Sequence, residues 1–342
     1  MHSRNILKIL TIIVICAIWA ASLTGVSSAA EKKEISLVIA TATTGGTYYP
    51  IGVGMASLWS IRLRNKHGVK VDSITSAGSG ENINMLKGKE VDLAILQGLF
   101  GAMAWNGMGI YKEPYKDLRT ISMLWPNVEQ FVIFKDKVKT GTFTDIKGLR
   151  FSIGRAGSGT ERSGLEIMKG LGMTRDDVKG EYLDYFGSSA AMKDKRIDGA
   201  NLCGGPPVAA VMDVLASPGM QAVILEVTDE QLEQILKNCI YPGYRYTIPA
   251  NTYPGQDKPI RTIAQPNFLG VRMDVDKGAV YLLTKTLFEN LNYMKQVHKS
   301  AENIKLEDAL SGLPAPLHPG AYKFYKEKGL TIPEKLVPPE GA

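Results

Sequence analysis

The 342-residue sequence is poor in cysteine and histidine: it holds Cys16, Cys203, Cys239 and only four histidines. Three thiols cannot form the dense disulfide framework of a small secreted domain. His67, His298 and His318 are scattered and have no metal-ligand spacing, so no metal site is expected. His318, in PLHPG, reads as a turn or packing residue. No G-x-S-x-G elbow is present, which removes the commonest exposed-serine arrangement. No G-x-G-x-x-G follows the first strand-like run. Gly154 and Gly159 have phosphate-loop spacing, but Thr160 stands where that loop needs lysine. No cofactor is therefore expected. The chain lacks a long basic run, and its net charge of +6 is spread along it, so nucleic acid is not an expected partner.

What is present begins with a leader. In MHSRNILKILTIIVICAIWAASLTGVSSAA, basic Arg4 and Lys8 precede an apolar run from Ile9 to about Leu23, and small residues follow. This reads as a signal peptide over residues 1–30, cleaved near Ala29 or Ala30; an uncleaved anchor is the alternative. Cys16 lacks the small residues of a lipobox before it. No later segment is apolar enough to span a membrane, so an exported, soluble mature chain is expected, periplasmic or extracytoplasmic. Cys203 and Cys239 remain after cleavage; an oxidising compartment permits a bond between them, and two buried free thiols are the other outcome. Hydrophobic residues at 44% and charged residues at 22% are enough for a substantial core without staples.

The remaining chain alternates between strand-like and helix-like runs. EISLVIATA, VKVDSITSAG and VDLAILQG read as strands separated by helices, and RTISMLWP and VEQFVIFK as extended runs. The pattern restarts at LRFSIG, followed by a helix, then EYLDYF as a strand, SSAAMKDKRID as a helix, GANLCGG as a strand, PVAAVMDVLAS as a helix and QAVILEV as a strand. Such alternation predicts an α/β fold with mostly parallel sheets in two lobes. Tyr241–Pro266 reads as irregular connection, NFLGVRM as a strand and VYLLTKTLFENLNYMKQVH as one long helix.

Two glycine turns recur at strand-to-helix junctions, one per lobe: TATTGGTYYPIG at 41–52 and GRAGSGTERSG at 154–164. Such junctions present unpaired N–H groups and the positive end of a helix dipole. Glycine admits close approach of a ligand, and a hydroxyl can cap the helix or bind. Two facing turns make a clamp for an anion. Gln97 ends a buried strand, where ligands sit in open α/β sheets. Asn82 begins the second helix. Tyr48, Tyr49, Tyr185 and Phe186 line a cleft or pack in the core, and Arg155 and Arg162 flank GSGT as carboxylate partners or solvated surface groups. Cys203 is a candidate nucleophile only on paper, because no histidine neighbours it.

GGTYYP, SGEN, VDLAILQ, LRTISMLWP, DIKGLRFSIGRAGSGT, RIDGA, IPANTYPG and PLHPGAYKFYKEKG occur in an order that resembles one family, from about Ile35 to Gly329. The sequence resembles the TAXI-type solute-binding proteins of tripartite ATP-independent periplasmic (TRAP) transporters. That resemblance implies a type II periplasmic binding protein with two lobes and the ligand in the cleft between them. Residues 1–30 are then the signal peptide, 31–130 with 265–342 lobe one, and 131–264 lobe two, with crossings near Pro126–Lys139 and Pro259–Phe268. It implies no catalysis, a small anionic solute (a dicarboxylate, a 2-oxo acid, or an acidic or amidic amino acid such as glutamate), a monomer, and delivery to an integral-membrane TRAP permease subunit. Gly46, Thr47 and Tyr48 match the first-lobe turn, Ser79 and Asn82 the next helix start, Gln97 the strand end, Gly157, Ser158, Gly159 and Thr160 the second-lobe turn, and Gly205 and Pro206 a later glycine-proline element. Arg155 stands where the family usually has a small or apolar residue, and QGLF and NLCGGPP also depart from its pattern beside the expected pocket. Two other readings share this cleft: a ligand-binding accessory of a membrane sensor, and an exported enzyme using Cys203.

Overall fold

The computed structural model describes residues 34–339, so the leader reading lies outside the described residues. From Ile35 the chain forms one compact unit built on two sheets. β1 (Ile35–Ala40), β2 (Val69–Ile74) and β3 (Leu93–Gln97) are parallel, with β1 in the middle. Helices α1 (Tyr48–His67) and α2 (Ser79–Lys87) make the crossovers, and α3 (Gly98–Asn106) follows β3 directly. β4 (Leu118–Val128) and the long β11 (Ile260–Arg272) add antiparallel pairings. β11 pairs with β3 through Asn267–Val271, and with β10 (Tyr244–Ile248) through Ile260–Ala264. The second sheet runs in the order β7 (Lys179–Glu181), β6 (Arg150–Ser152), β8 (Gly199–Asn201), β5 (Phe131–Phe134), β9 (Ala222–Ile224). Here β6 is parallel to β7 and β8, and β5 is antiparallel to β8 and β9. Both sheets are therefore mixed rather than mostly parallel, which corrects the expectation from the alternation: the strand-helix-strand part of each sheet is parallel, and antiparallel strands are added where the chain crosses between sheets.

The forward crossing is short. Val128 ends β4 and Phe131 begins β5, and Val128 and Gly204 exchange backbone hydrogen bonds of 3.1 and 2.9 Å across it. The return follows α7 (Asp229–Asn238). β10 lies in the stretch read as irregular, and β11 begins inside it as well, so that reading is corrected. Alternate residues explain the error: β10 buries only Ile248 fully, leaving little apolar pattern. β10 is hydrogen-bonded to the first sheet's β11, but Tyr246, Ile248 and Ala264 pack into the second sheet's core with Val132 and Ala200.

Three other local readings are corrected. EYLDYF is not a strand beyond Glu181: Asp184 Oδ1 accepts the Gly187 N–H at 2.7 Å and starts α5 (Tyr185–Lys193). Sequence reading passed over α7, although Thr228 and Gln231 form a reciprocal capping box at its start. The long helical run is two helices, α8 (Lys277–Glu289) and α9 (Leu291–Val297), divided at Asn290, whose side chain donates to the Thr286 carbonyl at 2.8 Å. α4 (Gly159–Gly170), α6 (Ala209–Ala216) and α10 (Pro319–Glu327) complete the helices used below. His318 is buried as the N-cap of α10, with Nδ1 accepting from the Gly320 N–H. Cys203 and Cys239 are both free thiols.

Candidate functional site

The N-terminal ends of five helices meet at one cavity between the two sheets. Its lining takes Gly46, Thr47 and Tyr48 from the start of α1, Gly78 and Ser79 from α2, Gln97 from α3, Ser158, Gly159 and Thr160 from α4, and Asp184 and Tyr185 from α5. A helix start presents unpaired N–H groups and about half a positive charge; at α5 the Asp184 carboxylate offsets that charge, and at α3 the Leu99 N–H already donates to Gln265 Oε1 at 2.9 Å. The cavity is small, about 40 Å³, space for a few waters at ~10–15 Å³ each. A larger solute enters only if the turns part.

The smallness comes from glycine. A Cβ on Gly80 would lie 2.3 Å from the Gly157 carbonyl oxygen, and one on Gly46 would lie 2.9 Å from the Tyr185 ring. A Cβ on Gly159 would meet the Gln97 amide at 2.7 Å. The turn before α2 and the turn before α4 thus face each other backbone to backbone. Their sequences are the same four letters, Ala77-Gly78-Ser79-Gly80 and Ala156-Gly157-Ser158-Gly159. This repeat is the signal that the comparison of TGGT with GSGT overlooked.

The TGGT turn reaches elsewhere. Thr47 Oγ1 donates to the Gly205 carbonyl at 3.0 Å, so its hydroxyl ties the two sheets together. Tyr48 is buried, and its hydroxyl donates to Asn267 Oδ1 at 2.5 Å and lies 3.4 Å from Ser79 Oγ. Ser79 Oγ accepts the Gln97 N–H at 3.0 Å, which fixes the end of β3. Gln97 Nε2 points at the Cys203 sulfur, 3.7 Å away, and Gln97 Oε1 is buried with no partner. Asn127, at the crossing, likewise leaves its buried Nδ2 unpaired. Turning either amide exchanges the atoms but leaves the unmet need, so the cavity presents polar groups that a ligand can satisfy.

On the other side Ser158 caps α4 by accepting the Glu161 N–H at 3.0 Å. Thr160 Oγ1 lies 2.7 Å from the Tyr185 hydroxyl and 3.3 Å from the Cys203 sulfur. Tyr185 also donates to the Cys203 carbonyl. Arg155 lines the mouth and is exposed. Asp184 is exposed too, and its carboxylate is engaged in capping α5.

The remaining expected residues stand outside the lining. Asn82 does not begin its helix, which starts at Ser79. It is fully buried, donating to the Thr41 and Ile95 carbonyls at 2.8 and 2.9 Å and so locking the ends of β1 and β3 together. Gly157 is exposed on the outer side of its turn. Gly205 accepts from Thr47, and the Pro206 carbonyl accepts from Ser300 Oγ at 3.1 Å. Phe186 is exposed, and Arg162 pairs with Glu166. Sequence reading missed Asn127, Asp184 and Gly204, and gave Cys203 only a packing role or a nucleophile's.

Burial pushes the Tyr48 and Tyr185 hydroxyls well up from their usual range, so both stay neutral donors. Burial pushes the Cys203 thiol up to about 12. The thiol lies within reach of Thr160, Tyr185 and Gln97, and with no histidine among these partners to take its proton the nucleophile reading gains no support. Among the described residues no group of three His, Cys, Asp or Glu side chains is placed to hold a metal ion.

Several solved structures resemble this one. The structure of a Bordetella bronchiseptica RB50 protein is 16% identical, with a TM-score of 0.52, covering 90% of this chain and 86% of its own. PhnD1 from Prochlorococcus marinus (MIT 9301), in complex with methylphosphonate, is 14% identical at a TM-score of 0.50, covering 79% and 91%. The alkanesulfonate-binding protein SsuA from Xanthomonas axonopodis pv. citri, bound to MOPS, is 14% identical at 0.47, covering 86% and 91%. At these identities the likeness to the first two concerns the fold alone, an α/β architecture of the type II periplasmic binding-protein class. Sequence similarity is more specific: residues 39–329 match the NMT1-like family, and the chain belongs to it.

Proposed function

We propose that this chain is the extracytoplasmic solute-binding subunit of a TRAP-type secondary transporter, capturing a small carboxylate by closure of two lobes and presenting it to a membrane permease. The observation that carries the reading is the convergence of five helix N-termini on a lining whose buried side chains are all uncharged. Such a field favours an anion and repels a cation. The carboxylate would be held by N–H groups of the α2 and α4 starts, the hydroxyls of Ser158 and Thr160, and the open amides of Gln97 and Asn127. Thr47, Ser79, Gly46 and Gly159 shape and hold the closed cleft, and Arg155 guards its mouth. A few charge-assisted hydrogen bonds of ~1.5–3 kcal/mol each supply micromolar affinity. The moving bodies are residues 31–130 with 265–342, and 131–264, hinged at the crossings. Placement outside the cytoplasm rests on the leader. Among the described residues no helix is long and apolar enough to cross a membrane.

The test is a thermal-shift screen of the mature chain, unfolded and refolded first to release any carried ligand, against carboxylates, amino acids, sulfonates and phosphonates. A carboxylate at a hundred times its Kd raises stability by about 2.7 kcal/mol. A response to methylphosphonate alone, the ligand in the PhnD1 structure, would move the substrate class; a response to cations alone would sink the reading.

A further inference from the structure

We propose that Glu129 is a proton site wired to the cleft, so that the protein takes up its anionic solute together with one proton on this carboxyl. The inference rests on the anion reading above. Glu129 lies in the crossing between β4 and β5 and is 0% exposed. Its backbone is pinned on both sides: the N–H donates to the Ile263 carbonyl at 2.9 Å, and the C=O accepts from Thr262 Oγ1 at 2.8 Å.

The groups that hold its side chain are neutral. Tyr241 donates its hydroxyl to Oε1 at 3.0 Å and Asn201 Nδ2 donates to Oε2 at 3.1 Å, while Ser163 of α4, close by, donates its hydroxyl to the Thr160 carbonyl at 3.3 Å. The other titratable groups that feel it are Tyr48 at the start of α1, Tyr185 of α5 and Cys203 after β8, all held neutral by burial. On α4 the charged pair Arg162–Glu166 bonds within itself. Burial pushes the Glu129 carboxyl up to about 7, against the pull of Ser163, Asn201 and Tyr241.

Asn201 supplies the wire. Its Nδ2 reaches both Glu129 and, at 3.5 Å, the carbonyl of Thr160, whose side chain lines the cleft. Its Oδ1 is buried with no partner. A neutral carboxyl needs an acceptor for its own O–H, and a half-turn of the Asn201 amide offers that oxygen. Protonation of Glu129 therefore changes what the Thr160 carbonyl meets. An anion in the cleft in turn disfavours a second negative charge nearby, and the proton is drawn from solvent. By linkage the proton tightens anion binding by the factor with which the anion tightens the proton.

The experiment uses the mature chain and its E129Q and Y241F variants. Infrared titration from pH 5 to 9 should show a protonated-carboxyl band lost with a midpoint near 7, absent in E129Q and shifted to higher pH in Y241F, which loses a donor to the charged form. Calorimetry then uses L-glutamate, methanesulfonate and sulfate, whose charges are constant between pH 6 and 8. Binding should be about tenfold tighter at pH 6 than at pH 8, with proton uptake visible between buffers of different ionisation enthalpy, and flat with pH in E129Q. Equal affinity at both pH values, or pH dependence retained in E129Q, overturns the proposal while leaving the anion reading intact. Failure of all three probes to bind at either pH, with no carboxylate, sulfonate or phosphonate responding in the screen above, overturns the anion reading and the coupling together, and the infrared band then shows separately whether Glu129 titrates near neutrality.

Discussion

The two Ala-Gly-Ser-Gly turns are identical in letters and different in use. The first, 77–80, is buried throughout, and its serine points inward to hold the end of β3 through Gln97. The second, 156–159, is exposed at Ala156 and Gly157, and its serine caps its own helix. In the first, the Ala77 N–H is clasped by Glu81; in the second, the Gly157 N–H is clasped by Glu161 at 2.6 Å. The added Thr160 after the second turn displaces that clasp by one residue and places a hydroxyl toward Tyr185 and Cys203. One turn is a buried seat and the other an exposed rim, and the residue after each tetrapeptide marks the difference.

The largest expected break in that comparison is Gly80→Val. Its side chain would displace the Gly157 carbonyl, which a Cβ alone already meets at 2.3 Å. About 3 kcal/mol charged to the closed form weakens solute binding about a hundredfold, read by calorimetry with any hit from the screen. Gly157→Ala meets nothing within 4 Å but must adopt φ +75°, so its expected effect is on the fold, about 1–2 kcal/mol in urea unfolding. Equal loss of affinity in both variants would mean the apposition is not what limits closure.

The serines separate next. Ser79→Ala strands the buried Gln97 N–H and is expected to cost ~1–3 kcal/mol of stability. Ser158→Ala removes a helix cap, about 1 kcal/mol. The reverse order in denaturant midpoints would show that the second turn, not the first, is the seat. The smallest expected effect is from Glu81→Gln and Glu161→Gln, each about 0.3–1 kcal/mol and each shrinking as salt rises. Unequal values would show that the two clasps differ as well.

Much of the fold and part of the site are legible in the sequence. Both glycine turns, Gln97 at a strand end and the α/β alternation come from local pattern, because strand, turn and helix each leave a signature within a few residues. The partnership of the turns is not legible in this way: TGGT pairs with GSGT on the page because both precede a helix in their lobe. The structure instead opposes the two AGSG turns and sets TGGT against Tyr185 and Gly205. Asn127 and Cys203 escape for another reason. They join the cavity only because the crossing brings β4, β5 and β8 together, and Cys203 meets Gln97 across 106 residues of sequence. Asn82, which does have a local signature, is internal scaffolding, since a buried amide that satisfies three neighbouring groups looks in sequence like one that awaits a ligand.

Trp125 sits edge-on to Tyr48, with ring centres 5.7 Å apart, and would touch any side chain placed on Gly205. Trp59 is buried beside the Leu283 carbonyl and Trp105 lies under Lys116, both away from the cavity lining. Parting of the turns would strip Trp125 of its second-lobe neighbour and change the polarity around one indole. On the proposed closure the molecule contains its own optical gauge: a change in tryptophan emission on adding solute, lost in Trp125→Phe, would report opening and closing in real time without any attached dye.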